Sequence, residues 1–201
     1  IEKLEDLRID NEGESKFVKV LLKKVYMLKQ MKNEKSSFEN ITRLIDEFKI
    51  MVMLNHPSVL KAHGIFINDK KLSSSILLEL CTSNLEQKVK KISRIQQVFF
   101  VYQIAQGMKY IHLRKIVHRN LNPSNILISE DGMIKIGGFE NAKLMESENE
   151  LNNDMHSFAL VVYFVLSGGK NLDTKNMSDL KSFPLLTQQL IESCISTDIE
   201  N

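Results

Sequence analysis

Tryptophan is absent, prolines number three and cysteines two, and each scarcity excludes something. The two thiols, Cys81 and Cys194, form neither a C-x-x-C pair nor any metal-ligand spacing. A disulfide framework or a structural zinc site is therefore not expected, and a reducing, cytoplasmic setting is. Charge of one sign is also lacking: 27 Lys and Arg stand against 25 Asp and Glu, a net charge of +2. That balance gives no electrostatic reason to expect direct nucleic-acid binding. Lysines at 19, 23, 24, 29, 32 and 35 do gather near the start, where a solvated strand and loop face accounts for them. The longest apolar run, FALVVYFVLSGG from Phe158, is about half of what a membrane span needs. It reads as a buried helix, and no membrane association is expected.

What is present suits a folded core. The 201 residues fit one domain or two closely packed lobes, with 43% hydrophobic and 26% charged residues. Residues 1–80 carry short β-type runs, KFVKVLL, KVYMLKQM, VLKAHGIFI and SSSILLELC, between charged turns. One segment among them is helical. Its apolar residues Ile41, Leu44, Ile45, Phe48, Met51 and Val52 recur at steps of three and four, which predicts one buried stripe. After residue 84 the pattern turns helical. Ser93 and Gln96 make a capping box for a helix whose core face is read as Ile95, Val98, Phe99, Tyr102, Ala105 and Met108. NILIS and MIKIG flank a Glu-Asp-Gly turn and read as a hairpin. The expected fold is therefore α+β, with a strand-rich half meeting a helix-rich half near ELCTSN. A cleft between two such halves is a common ligand site.

The stretch IVHRNLNPSNILIS, residues 116–129, carries the chemistry. With its neighbours it resembles the eukaryotic protein kinase family, over about Gly13 to the C-terminus. His118-Arg119-Asn120-Leu121 followed by Asn125 is similar to the H-R-D-L-x-x-x-N catalytic loop, with Asn for the aspartate. Gly138-Phe139-Glu140 lies where D-F-G belongs. Lys29 in VYMLK resembles the phosphate-binding lysine of the third strand. Glu47, 18 residues on (47 − 29), resembles its glutamate partner. GESKFVKV from Gly13 resembles the glycine-rich loop, with Ser15 and Val18 where glycines are usual. Asp154 resembles the buried aspartate that opens the long central helix.

The resemblance implies a bilobal kinase-like fold: a small β-rich N-lobe with one helix over residues 1–80, then hinge and mainly helical C-lobe over 81–201, ending before the family's last helices. It implies ATP contacts from Gly13, Val20, Met27, Lys29, Glu47, Glu79, Cys81 and Leu127, with Asn120, Asn122 and Asn125 at the catalytic positions. It implies structural roles for Met51, His118, Phe139 and Asp154, three of which, Met51, His118 and Phe139, belong to an internal hydrophobic column with Ala62.

The replacements bear on the reaction. The loop aspartate accepts the substrate hydroxyl proton, and the Asn120 amide cannot take a proton near pH 7. Gly138 has no side chain to ligate Mg²⁺, which leaves Asn125 as the sole implied metal ligand and the metal without its usual carboxylate. Asn122 replaces a lysine that meets the transferring phosphate. Met27 replaces the alanine beneath adenine and can fill that space itself. The interval from Gly138 to Asp154, 16 residues (154 − 138), is short for a peptide platform, and no A-P-E sequence follows. Ser147 is its only hydroxyl residue and sits among glutamates, unlike a phosphorylation switch.

The expected function is a pseudokinase: a regulatory or scaffolding module that works through protein partners or self-association, with weak or absent ATP binding. A slow serine/threonine kinase is the first alternative. The second is the nucleotide-sensing half of a ribonuclease, since LLELCTSNLEQKV and NNDMHSFALVVYFVLSGGK are also similar to the kinase–endoribonucleases of the unfolded protein response and to ribonuclease L. A diverged protist tyrosine-kinase-like serine/threonine kinase shares IAQGMKYIH and HPSVLKAHGIF equally well.

Overall fold

Alternating side chains in the first part of the chain build one antiparallel sheet. The computed structural model describes the backbone of residues 2–5, 15–21, 25–31, 38–68 and 73–196, and the side chains of 26–30, 39–67 and 74–196. Gly13 lies outside the described residues, as do the side chains of Ser15, Val18 and Val20. Strands β1 (Glu2–Glu5), β2 (Ser15–Leu21), β3 (Val25–Met31), β4 (Ala62–Asn68) and β5 (Ser73–Glu79) are arranged β1-β2-β3-β5-β4. In the β3–β5 register Met27 faces Leu78 and Lys29 faces Ile76, and all four are buried. The two-residue period of a strand thus brings Lys29 to the same covered face as the apolar residues.

Helix α1 (Phe38–Val52) packs against that sheet. Its buried seam runs through Leu44, Glu47 and Met51, with Ile50 beside them. The steps of three and four were legible in the sequence, but the stripe's edge was not. Val52 lies one residue, about 100° of helix rotation, beyond Met51 and is 55% exposed.

The second half opens with β6 (Cys81–Asn84) and α2 (Leu85–Lys88). Asn84 caps α2 reciprocally with Gln87. Helix α3 (Arg94–Leu113) begins with the expected capping box: Ser93 Oγ accepts from Gln96 N, and Gln96 Oε1 accepts from Ser93 N. Its core face agrees with the expected one only at Met108, which is buried, and Ala105, which packs against the core; in the first half of the helix it is turned away from it. Gln97, Phe100, Gln103, Ile104, Gly107, Met108 and Ile111 are buried, whereas Ile95, Val98, Phe99 and Tyr102 are exposed. Both faces are apolar, and polar bonds choose between them. Gln103 Oε1 accepts from the buried Ile134 N at 2.8 Å, so a glutamine sits inside where hydrophobicity would place it outside.

Strands β7 (Ile116–Val117) and β10 (Lys143–Leu144) form a short ribbon, and β8 (Ile126–Ser129) and β9 (Ile134–Ile136) form the expected hairpin beside β6. Helix α4 (Leu151–Leu166) is buried along most of its length, and α5 (Leu185–Ser196) packs on it. The two halves are tied where Leu60 N donates to Ile136 O and Ile136 N donates to Ser58 O, at 2.9 and 2.8 Å. The fold is α+β and bilobal, a small sheet with one helix over a mainly helical lobe. None of its described helices is long and apolar enough to cross a membrane.

Candidate active site

The loop between β7 and β8 is shaped by its own side chains. Asn122 Oδ1 accepts from Ser124 N, Asn125 N and Ser124 Oγ, while Asn122 Nδ2 donates to the Asn120 carbonyl at 3.2 Å. Asn122 therefore acts as the cap of the short turn Pro123–Asn125. Asn125 Nδ2 donates to the same Asn120 carbonyl at 2.8 Å.

The base of the loop rests on one carboxylate. Asp154, in the first turn of α4 and 1% exposed, accepts from His118 N and Arg119 N at 2.8 Å each and contacts His112 Nε2 at 2.9 Å. Burial works to raise the Asp154 carboxyl, but the His112 bond and the two backbone donors outweigh it and hold it below its ordinary value. Arg119 has φ of 60°, a left-handed conformation that costs a non-glycine residue energy, and the Asp154 bond helps to hold it.

His118 is fully buried. Its Nε2 donates to Gly137 O at 2.9 Å and its Nδ1 accepts from Asn120 N at 3.2 Å, which fixes one neutral tautomer. Burial lowers its pKa. The ring packs edge-on against Phe139, centroids 4.8 Å apart. Phe139 and Met51 are buried in one cluster, with the smaller Ala62 at its margin. His118 is thus a packing residue.

Above the loop lies a polar cluster drawn from both lobes. Lys29 Nζ donates to the two Glu47 oxygens at 2.6 and 2.9 Å, and to Glu140 Oε2 at 3.2 Å. The other Glu140 oxygen accepts from Asn120 Nδ2 at 2.6 Å. The Lys29 and Glu47 side chains are 8% and 4% exposed, and that of Glu140 is 42%. Burial alone would lower the Lys29 pKa, but two carboxylates overcome it and raise it. Burial pushes Glu47 up against the pull of Lys29. The two shifts pull in opposite senses on one bridge; we take it as ionised, because the ammonium answers to two carboxylates. Glu140 is held below its ordinary value: burial opposes this, and Lys29 is the main attraction.

The backbone explains how Glu140 arrives there. Gly138 has φ of 78° and starts a short helical turn, Phe139–Asn141, that points Phe139 into the core and Glu140 into the cleft. A Cβ at position 138 would lie 2.4 Å from the Asn125 carboxamide. Glu140 is the residue that motif reading missed. In the D-F-G frame it marks only a lost glycine, and its reach depends on a backbone turn.

The remaining predicted contacts divide. Met27 and Leu127 are buried in the core with Leu78. Cys81 is fully buried, its thiol pushed up to about 12 by burial, so only its backbone is available to a ligand. Glu79 directs its carboxylate elsewhere, to Lys61 N at 2.7 Å and Lys135 Nζ at 2.8 Å, in a hollow of about 370 Å³ beside His56. Past the cleft, β10 pairs with β7, Lys143 bridges to Glu150 at 2.7 Å, and the turn Glu148–Glu150 runs straight into α4. Among the described residues, no three His, Cys, Asp or Glu are placed to hold a metal ion.

The family model described as "Protein kinase domain" matches residues 15–165. The chain belongs to the protein kinase family. It is 29% identical over 201 residues to the serine/threonine-protein kinase polo of Drosophila melanogaster, covering 87% of this chain and 33% of that one. It is 34% identical over 116 residues to mitogen-activated protein kinase 16 of Oryza sativa subsp. japonica, covering 53% and 23%. With a probable serine/threonine-protein kinase of Dictyostelium discoideum it shares 28% identity over 127 residues, covering 62% and 25%. The chain thus spans about a third or less of the length of these relatives. The Lys29–Glu47 bridge, the packed His118–Phe139 pair, Asn120 and Gly138 all lie within the matched residues.

Proposed function

We propose that this protein kinase domain is catalytically impaired and acts as a regulatory or scaffolding module through contacts with other proteins or with itself. The observation that carries the reading is Glu140, whose carboxylate engages Lys29 from the cleft side and accepts from Asn120, an amide where the family pattern would have a carboxylate. General-base assistance is typically worth about 10²- to 10⁴-fold, and Asn120 offers none. The donor set also fits Mg²⁺ poorly. Gly138 contributes no oxygen, Asn125 is turned toward the Asn120 carbonyl by its amide, and both Glu140 oxygens already accept hydrogen bonds.

When bound, ATP would bring a γ-phosphate to transfer. The chain's own residues would orient it through Lys29 and the hinge backbone, without a carboxylate at position 120 to receive the acceptor hydroxyl's proton. The second reading, a slow serine/threonine kinase, is favoured by the intact Lys29–Glu47 bridge. A melting shift with ATP, with and without Mg²⁺, tests the first reading. Binding to the folded state must raise stability, by about 2.7 kcal/mol at a hundred times the dissociation constant. A small or absent shift that Mg²⁺ does not change is expected. A large shift that requires Mg²⁺ would favour the second reading.

A further inference from the structure

We propose that Glu140 is a tethered anion in the phosphate seat of Lys29, and that it sets the cleft's preference against phosphate-bearing ligands. This rests on the reading of the cleft as impaired but is tested separately from it. Three charged groups meet there, Lys29, Glu47 and Glu140, and together they carry one net negative charge. A polyphosphate approaching them meets an already neutralised lysine and a surplus carboxylate. A ligand without phosphate avoids that repulsion.

The neighbouring residues are suited to the arrangement. Asn120 donates to Glu140 at 2.6 Å; an aspartate there would repel it. Gly138 leaves room for the Asn125 carboxamide, which in turn holds the Asn120 carbonyl at 2.8 Å. The same contacts join β3 and α1 of the upper lobe to the catalytic loop of the lower one, so the cleft is clasped by protein atoms alone. Glu140 is the one exposed member, its side chain 42% open to solvent against 8% for Lys29 and 4% for Glu47.

The test compares ATP, inorganic tripolyphosphate and adenosine on the wild-type chain and on Glu140→Gln and Glu140→Ala, by calorimetry and melting shift. Both variants are expected to bind ATP and tripolyphosphate about tenfold or more tightly than wild type, with adenosine unchanged. An unchanged ratio of ATP to adenosine affinity would overturn the proposal. So would the absence of tripolyphosphate and ATP binding to every variant, since something other than Glu140 would then close the seat. Phosphate transfer measured on the same proteins keeps the two claims apart. Tighter binding without transfer supports both, and transfer by wild type would overturn the impaired reading while leaving this one standing.

Discussion

Replacing Lys29 by alanine is expected to unfold this domain more than it changes any activity. The side chain is 8% exposed and sits 2.6 Å from Glu47, itself 4% exposed. Removing the ammonium leaves a buried carboxylate without its counter-charge, and Glu140 adds a second negative charge nearby. Breaking one partner of a buried ion pair costs about 3–5 kcal/mol. A domain stability of about 5–15 kcal/mol leaves little margin for that loss. Replacing both partners by apolar residues of similar size, Lys29→Met with Glu47→Leu, removes both charges together and is expected to cost little or to stabilise. Urea denaturation of the wild type, the two single variants and the double variant measures the coupling. Single losses below about 1 kcal/mol, the range of exposed pairs, would refute the burial argument.

Asp154→Ala removes the acceptor of two backbone donors and a histidine contact; at about 1–3 kcal/mol for each buried group left unpaired, a loss of about 3 kcal/mol or more in urea melts is expected. Asp154 and Glu140 both titrate below their ordinary values of 3.8 and 4.5. The stability they contribute is therefore present above those values and lost as pH falls through the lower folded ones, and acid titrations of Glu140→Gln and wild type should converge below pH 4.5. Gly138→Asp must displace the Asn125 carboxamide, so it is expected to lower stability by about 1–2 kcal/mol and, alone or with Asn120→Asp, not to restore transfer. Asn120→Asp places a carboxylate against Glu140; its thermal destabilisation should largely vanish in a Glu140→Gln background, as a double-mutant cycle would show. Phe139→Ala opens a cavity beside His118 and should cost about 3–5 kcal/mol.

The motif frame was legible because it is carried by spacing. Lys29 and Glu47, His118 and Asn125, and Asp154 fall at separations that survive as sequence, and the structure joins the first pair at 2.6 Å. Two things were not legible. The first half of α3 was misjudged, at Ile95, Val98, Phe99 and Tyr102, because both of its faces are apolar, while Gln103 is held inside by a bond from Ile134 N, 31 residues away. Glu140 was overlooked because its position depends on φ at Gly138 and on which donors wait across the cleft, neither of which periodicity records. Asn122 was read as a lost phosphate contact. Its observed work is local, capping the turn that presents Asn125.

The central claim is that the chain keeps a kinase framework and has lost transfer. Incubation of the purified chain with radiolabelled ATP, Mg²⁺ or Mn²⁺ and a generic protein substrate tests it most directly. The account predicts no label on substrate or chain above that of the Glu47→Leu, Lys29→Met double variant. Label that tracks the monomer peak and disappears in that variant would contradict it.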